Sequence, residues 1–323
     1  MPRILRNTLI LFKLEPTYGM DAVPTGAADA LLVSAPSVTP LVATNVGRDL
    51  VRGYLGGSEQ LVGTNYVEVS FTLELAGSGT ATTPPAWGRV LKACGFAETV
   101  AAASVDYLPT SAFGASTSAT IYYYVDGQVH RLVGARGTFT MGMGVGERPV
   151  MNFRFIGKNA GLVAQANPAA TLTAWRTPLV VTDTNSADLL LGTLTYTPAT
   201  GVISGGTAYT GKGLEVDVGN SLAFTPLVGA ETVDITQREV TGNISLDLTA
   251  AQAVSFMTDV LANTVTGLGF THGTTAGNIV AVYSPVAQRL SPGVEDLNGN
   301  AMHTYQVRMS PSTGNDELRI VSR

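Results

Sequence analysis

The chain has 323 residues, of which 45% are hydrophobic and only 13% charged, and its formal net charge is −5. That length allows about two domains with a real core in each. An acidic chain without a Lys/Arg run excludes a tight grip on nucleic acid through counterion release. The charged fraction is about half the ~25% usual for globular proteins, which suits a chain that buries much of itself against its own copies. Lys13, Lys92, Lys158 and Lys212 are the only lysines. The remaining bases are Arg, whose planar fork suits ordered pairing with carboxylates.

Arg3 and Arg6 precede a short apolar run at 9–12 that ends at Lys13. A signal peptide needs an apolar region of about 7–15 residues, so this run reads as a first strand. No stretch reaches the ~20 apolar residues of a membrane span. The expectation is a soluble protein made in the cytoplasm.

The tetrapeptide TPLV occurs at 39–42, 177–180 and 225–228, and the residues after each copy decide its meaning. After the first comes a long Gly-rich loop and then VEVSFTLEL at 67–75, with Val67, Val69, Phe71, Leu73 and Leu75 on one face. That period of two marks a half-buried strand. The stretch TPPAWGRVLKACGF then predicts a helix with Trp87, Val90, Leu91 and Cys94 on its apolar stripe, prolines at its start and Gly95 at its stop. A hairpin comes next, turning at Asp126-Gly127, and then the closing strand VMNFRFIG.

After the copy at 225–228 the same order returns. NISLDL at 243–248 alternates, and its Ser-Leu-Asp-Leu lines up with Thr72-Leu73-Glu74-Leu75. Thr249 and Gln252 form a capping box, and Ala253, Phe256, Met257 and Val260 form a helical stripe before Asn263. A hairpin and the closing strand HTYQVRMS complete the set, with Tyr305, Val307 and Met309 matched to Met151, Phe153 and Phe155. The copy at 177–180 has no such sequel and comes after QANPAATLTAWR, a junction. The pattern predicts a mainly β protein of two tandem β-sandwich domains, 1–168 and 169–323, each with one flanking α-helix. The second carries an inserted hairpin at about 182–213.

Little here carries chemistry. His130, His272 and His303 lack paired metal-ligand spacing, and the lone Cys94 reads as a buried core thiol. GMGVGE at 142–147 lacks the spacing and helix of a phosphate loop. DLNGN at 296–300 begins like a calcium loop, but Ala301 and Val307 stand where Gly and a bidentate Glu belong, so it reads as a hairpin turn. No catalytic, cofactor or metal residues are assigned.

The stretch KLEPTYGMDAVPTGAADALLVSAPSVTPLV, the later RGYLGGSEQLVGTNYVEVSFTLELAGSGTATTPPAWGRVLKACGF, and VDGQVHRLVGARGTFTMGMGVGERPVMNFRFIGK resemble major tail tube proteins of long non-contractile-tailed bacteriophages. These blocks cover most of residues 13–158; the second half joins them through its match to the first. The resemblance implies a structural virion protein whose rings stack into a hollow tail tube that conducts DNA. Its partners would be other copies of itself and the tape-measure, tail-terminator and tail-tip proteins, with assembly in the host cytoplasm. With two tube domains per chain, three chains would make a pseudo-sixfold ring. Glu68, Glu74 and Asp247, with Arg154 and Arg308, are the candidate lumen residues. Tyr18, Asp21, Tyr54, Glu59 and Asn65, on the arm at 15–30 and the loop at 52–65, are the candidate ring-to-ring contacts. The alternative is a tail-tip or carbohydrate-binding β-sandwich, which would need an exposed aromatic platform.

Overall fold

The structure, a computed structural model, describes residues 3–114 and 117–323. Its first half runs β1 (Thr8–Leu14), α1 (Gly26–Asp29), β2 (Ala30–Leu31), β3 (Val33–Val46), β4 (Leu61–Glu74), α2 (Gly88–Lys92), β5 (Phe96–Val100), β6 (Val105–Pro109), β7 (Ala119–Val125), β8 (Gln128–Gly144) and β9 (Val150–Ala164). The second half runs β10 (Leu189–Thr197), β11 (Val202–Tyr209), β12 (Gly211–Asp217), β13 (Ser221–Leu227), β14 (Ala230–Gln237), β15 (Thr241–Leu246), α3 (Ala250–Leu261), β16 (Val265–His272), β17 (Val280–Leu297), β18 (Asn300–Ser310) and β19 (Arg319–Ser322). The chain is thus mainly β, and its strand pairs are antiparallel.

One order of pairing occurs twice. In the first half it is β1-β7-β8-β9-β4-β3. In the second it is β10-β16-β17-β18-β15-β12. The hairpin β13–β14 extends β12 and β15 outward, as the distal parts of β3 and β4 extend their own inner parts. Both copies carry a β-bulge at the same place, between Ser34 and Ser37 and between Gly211 and Leu214. Pairing also corrects one sequence match. Leu73 lies opposite Met151, whereas Leu246 lies opposite His303. The closing strands therefore align two residues away from the sequence match, with Phe153 against Tyr305 and Phe155 against Val307. Alternation has a period of two, so a slip of two leaves every face unchanged and is invisible in the pattern.

The inward side chains of β4, β9 and β8 build the centre of the core. Phe153 lies 5.7 Å from Phe71, 5.3 Å from Phe139 and 6.1 Å from Phe155, and Phe155 meets Phe12 of β1 edge-on at 5.5 Å. Such ring pairs add about 0.5–1.5 kcal/mol each beyond burial. The two halves share one continuous core, from Val67 and Phe71 to Ile244 and Val307.

The helices differ from expectation in extent. Pro84 and Pro85 delay α2, which holds only five residues, yet Trp87, Val90, Leu91 and Cys94 are all buried and Gly95 takes the left-handed stop at φ +79. In α3 the Thr249/Gln252 capping box is formed and Asn263 ends the helix at φ +55. Of its predicted stripe, Phe256 is buried, but Met257 is 45% exposed. The stretch at 182–213 does form a hairpin, β10–β11, but β10 also pairs with β16 and so belongs to the sheet. The last strand, β19, has no counterpart in the sequence pattern. It pairs with both β17 and β6 and ties the end of the chain to the first half. Beside it the buried Asp106 accepts from Arg319 at 2.6 Å and from the Tyr196 hydroxyl at 2.6 and 2.7 Å. Burial, and then the bond to Asp106, pushes the Tyr196 phenol up to about 12.

This packing predicts two stability outcomes. Phe153→Ala should lose about 3–5 kcal/mol, because it leaves a cavity among three rings, as read from urea unfolding. Asn220 donates to the carbonyls of Cys94 at 2.8 Å and Gly137 at 3.0 Å from between β12 and β13. Asn220→Ala leaves both buried acceptors without that donor and should cost about 1–3 kcal/mol in the same measurement.

Candidate functional site

The most extensive chemical feature of the chain is a polar sheet face. Alternation sends Val67, Val69, Phe71 and Leu73 into the core, so Glu68, Ser70, Thr72 and Glu74 project from the other side of β4. On β9 the same rule exposes Asn152 and Arg154. Ser70 and Arg154 are register partners, and Arg154 reaches Glu68 with two bonds of 2.8 and 2.7 Å. Thr72 donates to Asn152 at 2.7 Å, and Arg148 reaches Glu74 at 2.6 Å. These pairs are partly solvated and contribute about 0.2–1 kcal/mol each, so their main effect is to fix side-chain direction.

The face does not stop at the end of the first half. Thr140–Gly144 of β8 pair with Asp217–Gly213 of β12, residue by residue. Gly213 sits at φ +111 with the Met143 carbonyl where a Cβ would lie, so only glycine allows this approach. Beyond β12 the sheet continues through β15 and β18 to β17. The polar face consequently continues from β4, β9 and β8 onto β12, β15 and β18. Its second-half members include Glu215, Asp217, Asn243, Gln306 and Arg308, with Asp247 exposed just past β15.

The five sequence-derived face residues thus divide. Glu68 and Arg154 pair with each other, and Glu74 pairs with Arg148. Arg308 pairs with Glu239 at 3.0 Å rather than with Asp247. Glu215 and Asp217 are absent from the sequence-derived set, although the Leu-Glu-Val-Asp-Val alternation at 214–218 carries the signal. The residues just before them read as part of an inserted hairpin, which hides it.

The candidate contact residues lie in two different settings. The arm is anchored within the chain. Buried Glu15 accepts from the Gly19 and Gly134 amides at 2.6 Å each and from Ser118 at 2.7 Å. The Tyr18 hydroxyl accepts from the Val233 amide at 2.6 Å, and its ring lies under Arg136 at 4.9 Å. Burial is the main reason that its phenol pKa is raised. Asp21 accepts from the Tyr122 hydroxyl at 2.5 Å. Tyr18 and Asp21 therefore hold the arm against β14 and β7, which leaves Met20 and Val23 as the arm's large exposed apolar side chains. The loop at 47–60, by contrast, stands clear of the fold. Tyr54 is 70% exposed, and Val51 and Leu55 are fully exposed. Glu59 is held inside the loop by Arg48 and Arg52, while Asn65, at the loop's base on β4, accepts from the Asn159 side chain at 2.9 Å.

Elsewhere the geometry is structural. His272 is buried between Ser186 at 2.9 Å and the Leu179 carbonyl at 3.1 Å, which pins the junction segment to β16. The 296–300 stretch is the β17–β18 hairpin turn, with Asn298 and Gly299 both at positive φ. Trp87 is buried, and Trp175 points its indole N–H at the Ala30 carbonyl, so neither forms an exposed platform. Among the described residues no group of three His, Cys, Asp or Glu side chains is placed to hold a metal ion, and no helix is long and apolar enough to cross a membrane.

A long polar face on one side of a continuous sheet, together with a loop whose Val51, Tyr54 and Leu55 are exposed, is what a chain built to assemble with its copies presents. No curated protein matches the sequence. The family model for phage tail tube proteins matches residues 6–320, so the chain belongs to the phage tail tube protein family and is a structural component of the virion tail.

Proposed function

We propose that this chain is the major tail tube subunit, and that three chains close a ring with pseudo-sixfold symmetry. In this reading residues 1–168 and 169–323 are two tandem tube domains, and stacked rings form a hollow conduit for phage DNA. The observation that carries it is the pairing order that occurs twice, joined by β8–β12 into one sheet of eight strands from β3 to β17. Among the described residues the sheet's two edges, on β3 and on the 293–297 part of β17, do not pair with each other. Three such sheets in a ring give a barrel of about 24 strands. At ~4.8 Å spacing and ~40° tilt the backbone diameter is about 48 Å, with room inside for a double helix.

The polar face supplies the lining in this arrangement. Glu68 with Arg154, Glu74 with Arg148, and Arg308 with Glu239 place alternating charges on the face. Glu215, Asp217 and Asp247 leave it acidic on balance. A conduit should repel its cargo weakly along its whole length, and a basic stripe would retain DNA through counterion release. The loop at 47–60, with Val51, Tyr54 and Leu55 exposed, is suited to the next ring along the axis, and the arm contributes the exposed Met20 and Val23. The tape-measure, tail-terminator and tail-tip proteins of the phage would complete the assembly, within the host cytoplasm.

Electron microscopy of the concentrated protein tests the stoichiometry. End-on class averages should show rings of three chains with six similar lobes around a pore. Rings of six chains would mean that one domain per chain builds the tube and would overturn the tandem reading. Charge reversal tests the lining. Glu215 and Asp247 form no ion pair among the described residues, so Glu215→Lys with Asp247→Lys should leave rings intact. In phage carrying both changes DNA ejection should slow; unchanged kinetics would remove these residues from the lumen.

A further inference from the structure

The junction between the halves shows how one chain would meet the next. The inner end of β12 is covered by β8, where Val216 pairs with Met141 and both side chains are 1% exposed. The counterparts of these two strands in the repeated order are β3 and β17. On one side β3 pairs with β4, and among the described residues no strand of this chain pairs with its other side. From Gly293 to Leu297, β17 pairs with β18 alone among the described residues. Two strand edges that are joined inside the chain in one copy of the pattern are bare in the other.

We propose that β3 of one chain pairs antiparallel with the 293–297 segment of β17 in the next copy, in the register that β12 and β8 use within the chain. This inference rests on the ring reading above and specifies its contact. The bulge shared by β3 and β12 sets the correspondence of Val38 with Val216, and the β17–β18 register sets that of Val294 with Met141. Val38 then lies opposite Val294, Thr39 opposite Gly293, and Ser37 opposite Glu295. Val38 is half-buried against the core and Val294 is 66% exposed, so each is an apolar side chain whose counterpart is already covered. Pro36 and Pro40 fall within the first two of the three register shifts of β3, which leaves Ser37, Val38 and Thr39 as a regular paired window between them.

A second pair of surfaces meets in the same contact. Inside the chain the hairpin β13–β14 lies on the first half: the Phe224 ring packs tilted against Tyr66 at 5.3 Å, Val233 is fully buried, and Ile235 reaches Gly95 at the end of α2. The equivalent hairpin of the first half has Leu41, Val46, Leu61 and Val62 exposed. The equivalent helix, α3, has Val254, Met257 and Leu261 exposed along one face, with Val265 just beyond. Val254, Met257 and Leu261 are spaced three and four apart and form one stripe. Seating the bare hairpin on the bare helix of the next copy repeats the internal arrangement and covers both. A free strand edge as long as β3, next to exposed apolar side chains, is an aggregation hazard unless a partner covers it.

Cysteine pairing tests the register. Val38→Cys with Val294→Cys, oxidised after assembly, should give a non-reducing gel ladder of two and three linked chains; neither single variant should do so. Rings visible by microscopy without the ladder would overturn this pairing and leave the ring reading standing. Neither rings nor ladder would overturn both. Because the double variant could misfold, Val294→Asp provides an independent measure at an exposed position. It should keep the parent's circular dichroism spectrum while ring formation falls by about tenfold or more, since the change buries a carboxylate at the contact. Rings formed at the parent's level would overturn the pairing.

Discussion

The backbone hydrogen bonds between β8 and β12 are the constraint on which the rest of the structure depends. An edge strand inside a folded chain leaves a row of amides and carbonyls that need partners. By joining the two halves edge to edge, these bonds turn two sheets into one, extend a single core beneath it, and align the polar side chains of both halves on one surface. Gly213 is the local condition for that union, and Asn220, which caps the carbonyls of Cys94 and Gly137, holds the neighbouring hairpin in its seat. The bonds among β6, β19 and the Asp106 cluster fasten the opposite layer. The halves are therefore joined in two places.

Polar and apolar surfaces have different roles in this molecule. The polar face is set mainly by strand alternation, and Arg148 and Glu239 reach it from the turns beside β9 and β15. Its ion pairs, Glu68 with Arg154 above all, contribute orientation rather than stability. The exposed apolar groups collect elsewhere, on the 47–60 loop, on the distal part of the β3–β4 hairpin and along α3. That separation leaves apolar groups for contact with other copies of the chain and keeps the sheet face polar and mostly acidic. The low charge content of the chain reflects this division, because much of its outer surface is reserved for contact.

Much of the fold was legible in the sequence. The strand at 67–75, the Asp126-Gly127 turn, the capping box at Thr249 and the burial of Cys94 all rest on interactions within a few residues of each other, so local pattern specifies them. The lining candidates Glu68, Glu74, Arg154 and Arg308 were legible for the same reason, since period two assigns a face. Their partners were less so: Arg308 meets Glu239 and Glu74 meets Arg148 because of how strands lie beside each other. Glu215 and Asp217 were hidden because a Gly/Thr-rich neighbourhood masks a clear alternation. Tyr18 and Asp21 look in the sequence like free contact residues, but their anchors, Val233 and Tyr122, are remote in the chain.

What the sequence determined by itself is most of the elements, their order, the recurrence of that order, and which face of the alternating strands is polar. Those properties depend on periodicity, turn chemistry and capping, all of which act over short separations. Only the tertiary structure decided the register of the closing strands, the union of β8 with β12, and the bare edges of β3 and β17. A shift of two residues preserves every face, and a backbone edge carries no side-chain signature, so neither leaves a mark on the pattern of letters.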